Sequence, residues 1–193
     1  MIIGVLALQG AFREHMKCLK KIGIHGKLVK SNKDLEGIDG IILPGGESTA
    51  MGKLLVDFNM KENLSNKIKN GLPAWGTCAG MILLAKKIDG ENKAHLGVMD
   101  IDVKRNAYGR QLGSFSTEKI IPEISDEPIE LVFIRAPYIN SVNNGVDILC
   151  EVDGNIVAAK QRNILVTSFH PELTENRAFH RYFVKMIKNN KSV

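Results

Sequence analysis

Short apolar runs alternate with amphipathic stretches through the first half of the chain, the pattern of strands followed by helices. Ile2–Leu8 is apolar apart from Gly4 and predicts a first buried strand. An amphipathic helix around Phe12–Ile22 follows, with Phe12, Met16, Leu19 and Ile22 on one face. A strand at Lys27–Val29, a short helical stretch near Asp34 and a strand at Ile41–Leu43 come next. Helices within Thr49–Lys69, a strand at Ala74–Trp75 and a helix at Ala79–Ala85 continue the alternation. Repeated βα units require a parallel sheet covered on both faces, with functional loops gathered at the carboxyl ends of its strands.

Beyond Gly90 the pattern changes to strands near Val98–Lys104, Glu118–Ile121, Leu131–Ile134 and Ile148–Val152. Asp153-Gly154 predicts a hairpin turn into Asn155–Lys160, before an apolar strand that closes on His170 and a terminal helix at Ala178–Lys188. The expected fold is α/β: a doubly wound, flavodoxin-like, mostly parallel sheet with antiparallel additions in the C-terminal half. No linker, repeat or low-complexity stretch interrupts it, so residues 1–193 are expected to form a single domain.

Chemistry enters at Gly76-Thr77-Cys78-Ala79-Gly80, where a short strand turns into an apolar helix. Gly-x-Cys-x-Gly is the thiol counterpart of the nucleophile elbow, in which flanking glycines let the backbone double back and lift the nucleophile out of the sheet. A helix start also favours thiolate over thiol. A base is offered by Ser168-Phe169-His170-Pro171-Glu172. In an extended chain residues two apart share a side, so Glu172 is expected beside His170, fixing its tautomer and stabilising the imidazolium formed when it takes the thiol proton. His15, His25, His95 and His180 lack such a setting and are expected on the surface or on helix faces.

A second glycine turn, Pro44-Gly45-Gly46-Glu47-Ser48-Thr49, ends another apolar strand, with Ser48 as the expected helix cap. Its N–H groups are candidate oxyanion donors, as is the Ala79 amide immediately after the cysteine. The turn is not a phosphate loop, because no Lys-Ser/Thr follows a Gly-x-x-x-x-Gly.

Composition narrows the setting. With 44% apolar residues and a mean hydropathy of −0.06, the chain can bury a sizeable core, and Cys18, Cys78 and Cys150 form no Cys-x-x-Cys pair. A reducing cytoplasm fits best. The apolar start lacks a basic flank and is too short to span a bilayer, so no membrane segment is expected. A net charge of +5 is spread among acidic residues, and aromatics are only 6%, so no nucleic-acid site is expected either.

The elbow, the Pro44–Thr49 turn and the Ser168–Glu172 ending resemble the class I, triad-type glutamine amidotransferases. Within them, Gly4-Val5-Leu6-Ala7-Leu8-Gln9-Gly10-Ala11-Phe12, Arg105-Asn106-Ala107-Tyr108-Gly109-Arg110-Gln111 and Phe133-Ile134-Arg135-Ala136-Pro137 resemble the PdxT family, the glutaminase subunits of pyridoxal 5′-phosphate synthase. One departure is Ser116, where that family often has an acidic residue.

The resemblance implies hydrolysis of L-glutamine to glutamate and ammonia, with Cys78 as nucleophile, His170 as acid/base and Glu172 orienting it. It implies that Gly46, Glu47, Ser48, Arg105, Ile134 and Arg135 hold glutamine, where arginine suits the substrate carboxylate. Ammonia would pass to a barrel-shaped synthase subunit in a hetero-oligomer on which glutaminase activity depends, with Gln9 and Gly10 relaying the contact to the Gly45-Gly46 loop. No metal, nucleotide or bound cofactor is implied for this chain. Two other classes remain open at this point. A Cys-His peptidase or deglycase would use the elbow without Arg105 and Arg135, and a binding module would be expected to have lost a triad member.

Overall fold

The computed structural model describes residues 1–105 and 113–190. In chain order its first elements are β1 (Ile2–Leu6), α1 (Phe12–Lys21), β2 (His25–Val29), β3 (Gly40–Leu43), α2 (Ser48–Asp57), α3 (Lys61–Lys69), β4 (Ala74–Thr77) and α4 (Ala79–Leu84). Next come β5 (Ala85–Ile88), β6 (Met99–Lys104), β7 (Ser114–Ile121), β8 (Ser125–Ile134) and β9 (Tyr138–Val142). β10 (Asp147–Val152), β11 (Asn155–Gln161), β12 (Ile164–Thr167) and α5 (Ala178–Asn190) complete the set, with 3-10 turns at Asn32–Leu35 and Pro171–Leu173.

Strands β2, β1, β3, β4 and β12 lie side by side and parallel. The sheet continues through β11, β9, β6 and β5, with antiparallel pairing from β12 to β6 and a parallel last pair. The expected parallel core with antiparallel additions is therefore the observed one. Alternation along β3 explains the layers: Ile41 and Leu43 face a core with Met51, Leu55, Leu64, Ile68 and Met81 of α2, α3 and α4. Ile42 faces the opposite core with Leu19 of α1, Trp75, and Phe179, Phe183 and Ile187 of α5. The separate β7–β8 hairpin adds Leu131 and Phe133 to that second core.

The structure departs from the sequence pattern at several points. Ala85 opens a strand rather than ending a helix, because the apolar run Met81–Leu84 is buried as one short helical segment and the chain then extends along β6. Strand β9 was not legible, since Asn140 and Ser141 interrupt its apolar alternation. The hairpin strands run longer than their apolar stretches because their polar positions face outward. Ser116, opposite Val132, is exposed there. At Asp153-Gly154 the expected turn is present, with both residues at positive φ, the signature of a tight I′ hairpin. No helix among the described residues is long and apolar enough to cross a membrane.

Candidate active site

Cys78 lies between β4 and α4 with φ 49° and ψ −105°, a left-handed conformation that a non-glycine residue holds only when its surroundings over-determine it. The flanking glycines supply that constraint by close approach. A Cβ on Gly76 would stand 2.5 Å from the Gly80 carbonyl carbon, and one on Gly80 would stand 1.9 Å from the Leu43 carbonyl oxygen. Only bare backbone lets α4 pack this tightly across β3 and β4.

His170 comes from the segment after β12, the immediate neighbour of β4, which brings it to Cys78. Its backbone N–H donates to the Val132 carbonyl at 2.8 Å, fixing it against the β7–β8 hairpin. The expected strand to His170 stops at Thr167, and Glu172 sits in the 3-10 turn Pro171–Leu173. The pairing therefore arises from a tight turn rather than from strand alternation: His170 Nδ1 and Glu172 Oε1 are 2.7 Å apart. Burial lowers the His170 pKa, but hydrogen bonding to Cys78 and Glu172 prevails and pushes it up to about 10. Burial raises that of Glu172, and the imidazoles of His15 and His170 together bring it below the usual carboxylate value.

Cys78 and His170 open on a cavity of about 450 Å³, a normal size for a small-molecule site. The candidate oxyanion, substrate and relay residues also line it: Gln9, Gly10, Gly46, Glu47, Ser48, Ala79, Arg105, Ile134 and Arg135. Glu172 stands behind His170, 5% exposed. The sequence stretch from Asn106 to Gln111 lies outside the described residues.

The Gly45-Gly46 loop is held from the β1 side. The Ala11 amide donates to the Gly45 carbonyl at 2.9 Å, and the Glu47 amide donates to Gln9 Oε1 at 2.8 Å. A Cβ on Gly45 would meet His170 Cε1 at 2.4 Å, and one on Gly46 would meet Gln9 Oε1 at 2.3 Å. The cap of α2 is Glu47 rather than Ser48, its carboxylate accepting from the amides of Thr49 and Ala50, while Ser48 is the first, buried helical residue. Burial works to raise the Glu47 pKa, yet those amides, the Thr49 hydroxyl and Arg105 leave it lowered. Arg105 does not stand free for a ligand: it contacts Glu91 Oε1 at 2.5 Å, Thr49 Oγ1 at 3.2 Å and Glu47 Oε1 at 3.4 Å. Arg135, directly after β8, is exposed with φ 44°.

The expectation for the remaining histidines is corrected by the fold. His25 is exposed and His95 half-buried, but His15 and His180 are 0% and 1% exposed, directly behind the triad. His15 occupies the buried face of α1 with Cys18 and Leu19, at i+3 and i+4 from it. His180 shares the α5 core face with Phe183, Val184 and Ile187. Helical periodicity was the signal that marks both as interior. Both do lie on helix faces, as expected, but on buried ones.

A strained elbow cysteine, an imidazole and a carboxylate in contact order, set at the carboxyl ends of a doubly wound sheet, is the architecture of the triad-type glutamine amidotransferase class. Comparisons with known proteins specify it further. Residues 5–189 match the SNO glutamine amidotransferase family, and the chain belongs to that family. It is 62% identical over 189 residues to the pyridoxal 5′-phosphate synthase subunit PdxT of Clostridium botulinum, covering 97% of this chain and 98% of that protein. The PdxT subunit of a Thermoanaerobacter species is 55% identical over 187 residues, covering 96% and 99%. Among solved structures, a glutamine amidotransferase superposes with a TM-score of 0.92 at 42% identity, over 97% of this chain and all (100%) of that one. PurLQS of Thermotoga maritima, at 15% identity and a TM-score of 0.71, covers 95% of this chain and 97% of its own and shares the fold.

Proposed function

We propose that the chain acts as one domain that hydrolyses L-glutamine and delivers the ammonia to a pyridoxal 5′-phosphate synthase subunit. The observation that carries this reading is the contact order Cys78–His170–Glu172, whose first two members line a cavity that also holds Arg105 and Arg135. Membership of the family and full-length likeness to PdxT subunits support the substrate and the partner.

In the proposed reaction the Cys78 sulfur attacks the side-chain amide carbon of glutamine. The negative charge that develops on the carbonyl oxygen is met by the N–H groups of Gly46 and Ala79. His170, protonated at rest, gives its proton to the departing nitrogen as ammonia leaves, and a thioester to Cys78 remains. His170 then takes a proton from water, the hydroxide attacks the thioester carbon, and glutamate departs with its carboxyl proton lost to solvent, leaving the Cys78 thiolate beside protonated His170 as at the start. Glu172 stays ionised throughout and balances the imidazolium. Glu47, Ser48 and the Ile134-Arg135 segment hold the amino-acid end of the substrate.

Hydrolysis uncoupled from use of the ammonia would be wasteful, so the site is completed by the partner. Gln9 and Gly10 suit a relay: they stand in the turn between β1 and α1, and Gln9 holds the Glu47 amide beside the Gly45-Gly46 peptide. Three free cysteines fit a reducing cytoplasm. The test is co-purification with the synthase subunit, followed by measurement of glutamine-dependent pyridoxal 5′-phosphate formation. Failure of product to form with glutamine, when ammonia salts support it, would remove this chain from the role.

A further inference from the structure

Behind the triad lies a buried polar row that the reaction as written does not use. His15 Nε2 stands 3.4 Å from Glu172 Oε2 and 3.2 Å from Thr77 Oγ1, and His15 Nδ1 stands 3.1 Å from His180 Nε2. Glu172 Oε2 is buried and, among the described residues, has no hydrogen-bond partner; His15 Nε2, which also contacts Thr77 Oγ1, stands within reach of it. An unserved carboxylate oxygen in such a place is costly, and an imidazole N–H facing it offsets that cost.

We infer that His15 is a positioning residue for the triad, its Nε2–H holding the second oxygen of Glu172 while His170 holds the first. The inference rests on the triad reading above. The tautomers follow from the row itself. His15 has only one proton when neutral, and placing it on Nε2 leaves Nδ1 to accept from His180 Nε2–H. His180 Nδ1, which has no partner among the described residues, is then an empty acceptor rather than a stranded donor, the cheaper of the two arrangements. The His180 N–H then serves His15, and the His15 N–H is shared between Thr77 Oγ1 and Glu172 Oε2.

Burial keeps His15 and His180 neutral, which preserves this arrangement. The His15 pKa is lowered by burial, with Glu172 and Glu14 opposing and His170 assisting, and that of His180 is lowered well below normal by burial, His15 and Arg177. The groups facing His15 are thus Glu172 and His170 from the segment after β12, His180 from α5, Thr77 from β4, and Glu14 and Cys18 on its own helix. Because α1 begins directly after Ala11, whose amide holds the Gly45 carbonyl, one helix is bonded to the glycine loop at its start and approaches the Glu172 carboxylate a turn later.

The test uses the chain in complex with the synthase subunit for glutamine turnover, and the chain alone for the pH dependence of Cys78 alkylation by iodoacetamide. His15→Gln places an amide nitrogen near the position of Nε2, whereas His15→Asn cannot reach Glu172 and His15→Phe has no donor. The Phe and Asn variants are expected to lose roughly tenfold or more in kcat with KM little changed, the scale of one charge-assisted hydrogen bond. The acid limb of alkylation should move to higher pH in both, because Glu172 loses a donor to its charged form. His15→Gln should restore both readouts to near the parent. If the Phe variant does not fold, as judged by circular dichroism, the Asn and Gln comparison decides. Parent-like turnover and an unmoved acid limb in the folded Asn and Phe variants overturn the inference while a dead Cys78→Ala leaves the triad standing. Glutamine turnover surviving in Cys78→Ala overturns both.

Discussion

The Gly45 carbonyl accepts a hydrogen bond from the Ala11 amide at 2.9 Å, so the peptide that carries the Gly46 N–H cannot reorient without breaking that bond. The loop is restrained by its neighbours as much as it is freed by its glycines. The isolated chain is expected to be a poor glutaminase, accelerated by its synthase partner. A misplaced oxyanion donor lowers turnover by roughly a hundred- to a thousandfold. Gly46→Ala drives a methyl group into Gln9 Oε1 and should remove most of that acceleration in the complex. Saturating-glutamine rates with and without the synthase subunit check this. Equal rates for the lone chain and the complex would end the gating account.

Cys78→Ala is expected to abolish hydrolysis while preserving the fold, and Cys78→Gly provides a further comparison. An Ala-to-Gly change ordinarily costs about 0.5–1 kcal/mol. At φ 49° and ψ −105° glycine relieves strain that alanine retains, so the Gly variant should unfold at a temperature no lower than the Ala variant. Calorimetry of the two proteins measures it. A clearly less stable Gly variant would mean that the elbow carries little strain.

His170→Ala should be more damaging than Glu172→Gln, which retains a hydrogen-bonding group in the orienting position. Residues that act as one unit are non-additive, so combining the two changes should cost little more than His170→Ala alone. Single-turnover ammonia release provides the comparison. A normal rate in Glu172→Gln would remove that carboxylate from the site.

The raised His170 pKa has a definite sign. A group shifted from 6.5 to about 10 contributes stability that is full below pH 6.5 and is lost as the pH rises toward 10. The stability difference between the parent and Glu172→Gln should therefore shrink between about pH 6 and about pH 9 in urea unfolding. Histidine NMR titration should show His170 still protonated at neutral pH, with its midpoint falling in Glu172→Gln. A difference that grew with pH would reverse the assignment.

At Gly80 the added methyl group would stand 1.9 Å from the Leu43 carbonyl oxygen, a backbone atom with nowhere to move. Gly80→Ala is expected to destabilise by several kcal/mol or to prevent folding. Gly113→Ala, where no atom of the described residues lies within 4 Å of the added atom, is the control and should be near neutral. Thermal melts of both variants settle the contrast.

The parallel half of the fold was legible because β1, β3, β4 and β12 are apolar on both faces, and each glycine turn falls at a strand's carboxyl end. The strands β5 and β9 were not, since each is short and interrupted by polar residues, and pairing rather than local pattern defines it. That Cys78, His170 and Glu172 come together was legible from two motifs. The row behind them was not read, because His15 and His180 are polar residues on apolar helix faces. Arg105 was found as a pocket residue, but its ion pairs with Glu91 and Glu47 bring together positions that no local spacing connects.

Strand β12 occupies the slot between β4 and β11, and the segment that follows it carries His170 and Glu172. Domains fold as units, so the central slot of this sheet stays open until β12 has been made. A chain cut short before Ile164 leaves β4 and β11 without the neighbour they share, so a truncation meant to remove only the His170 segment would cost the sheet as well as the base.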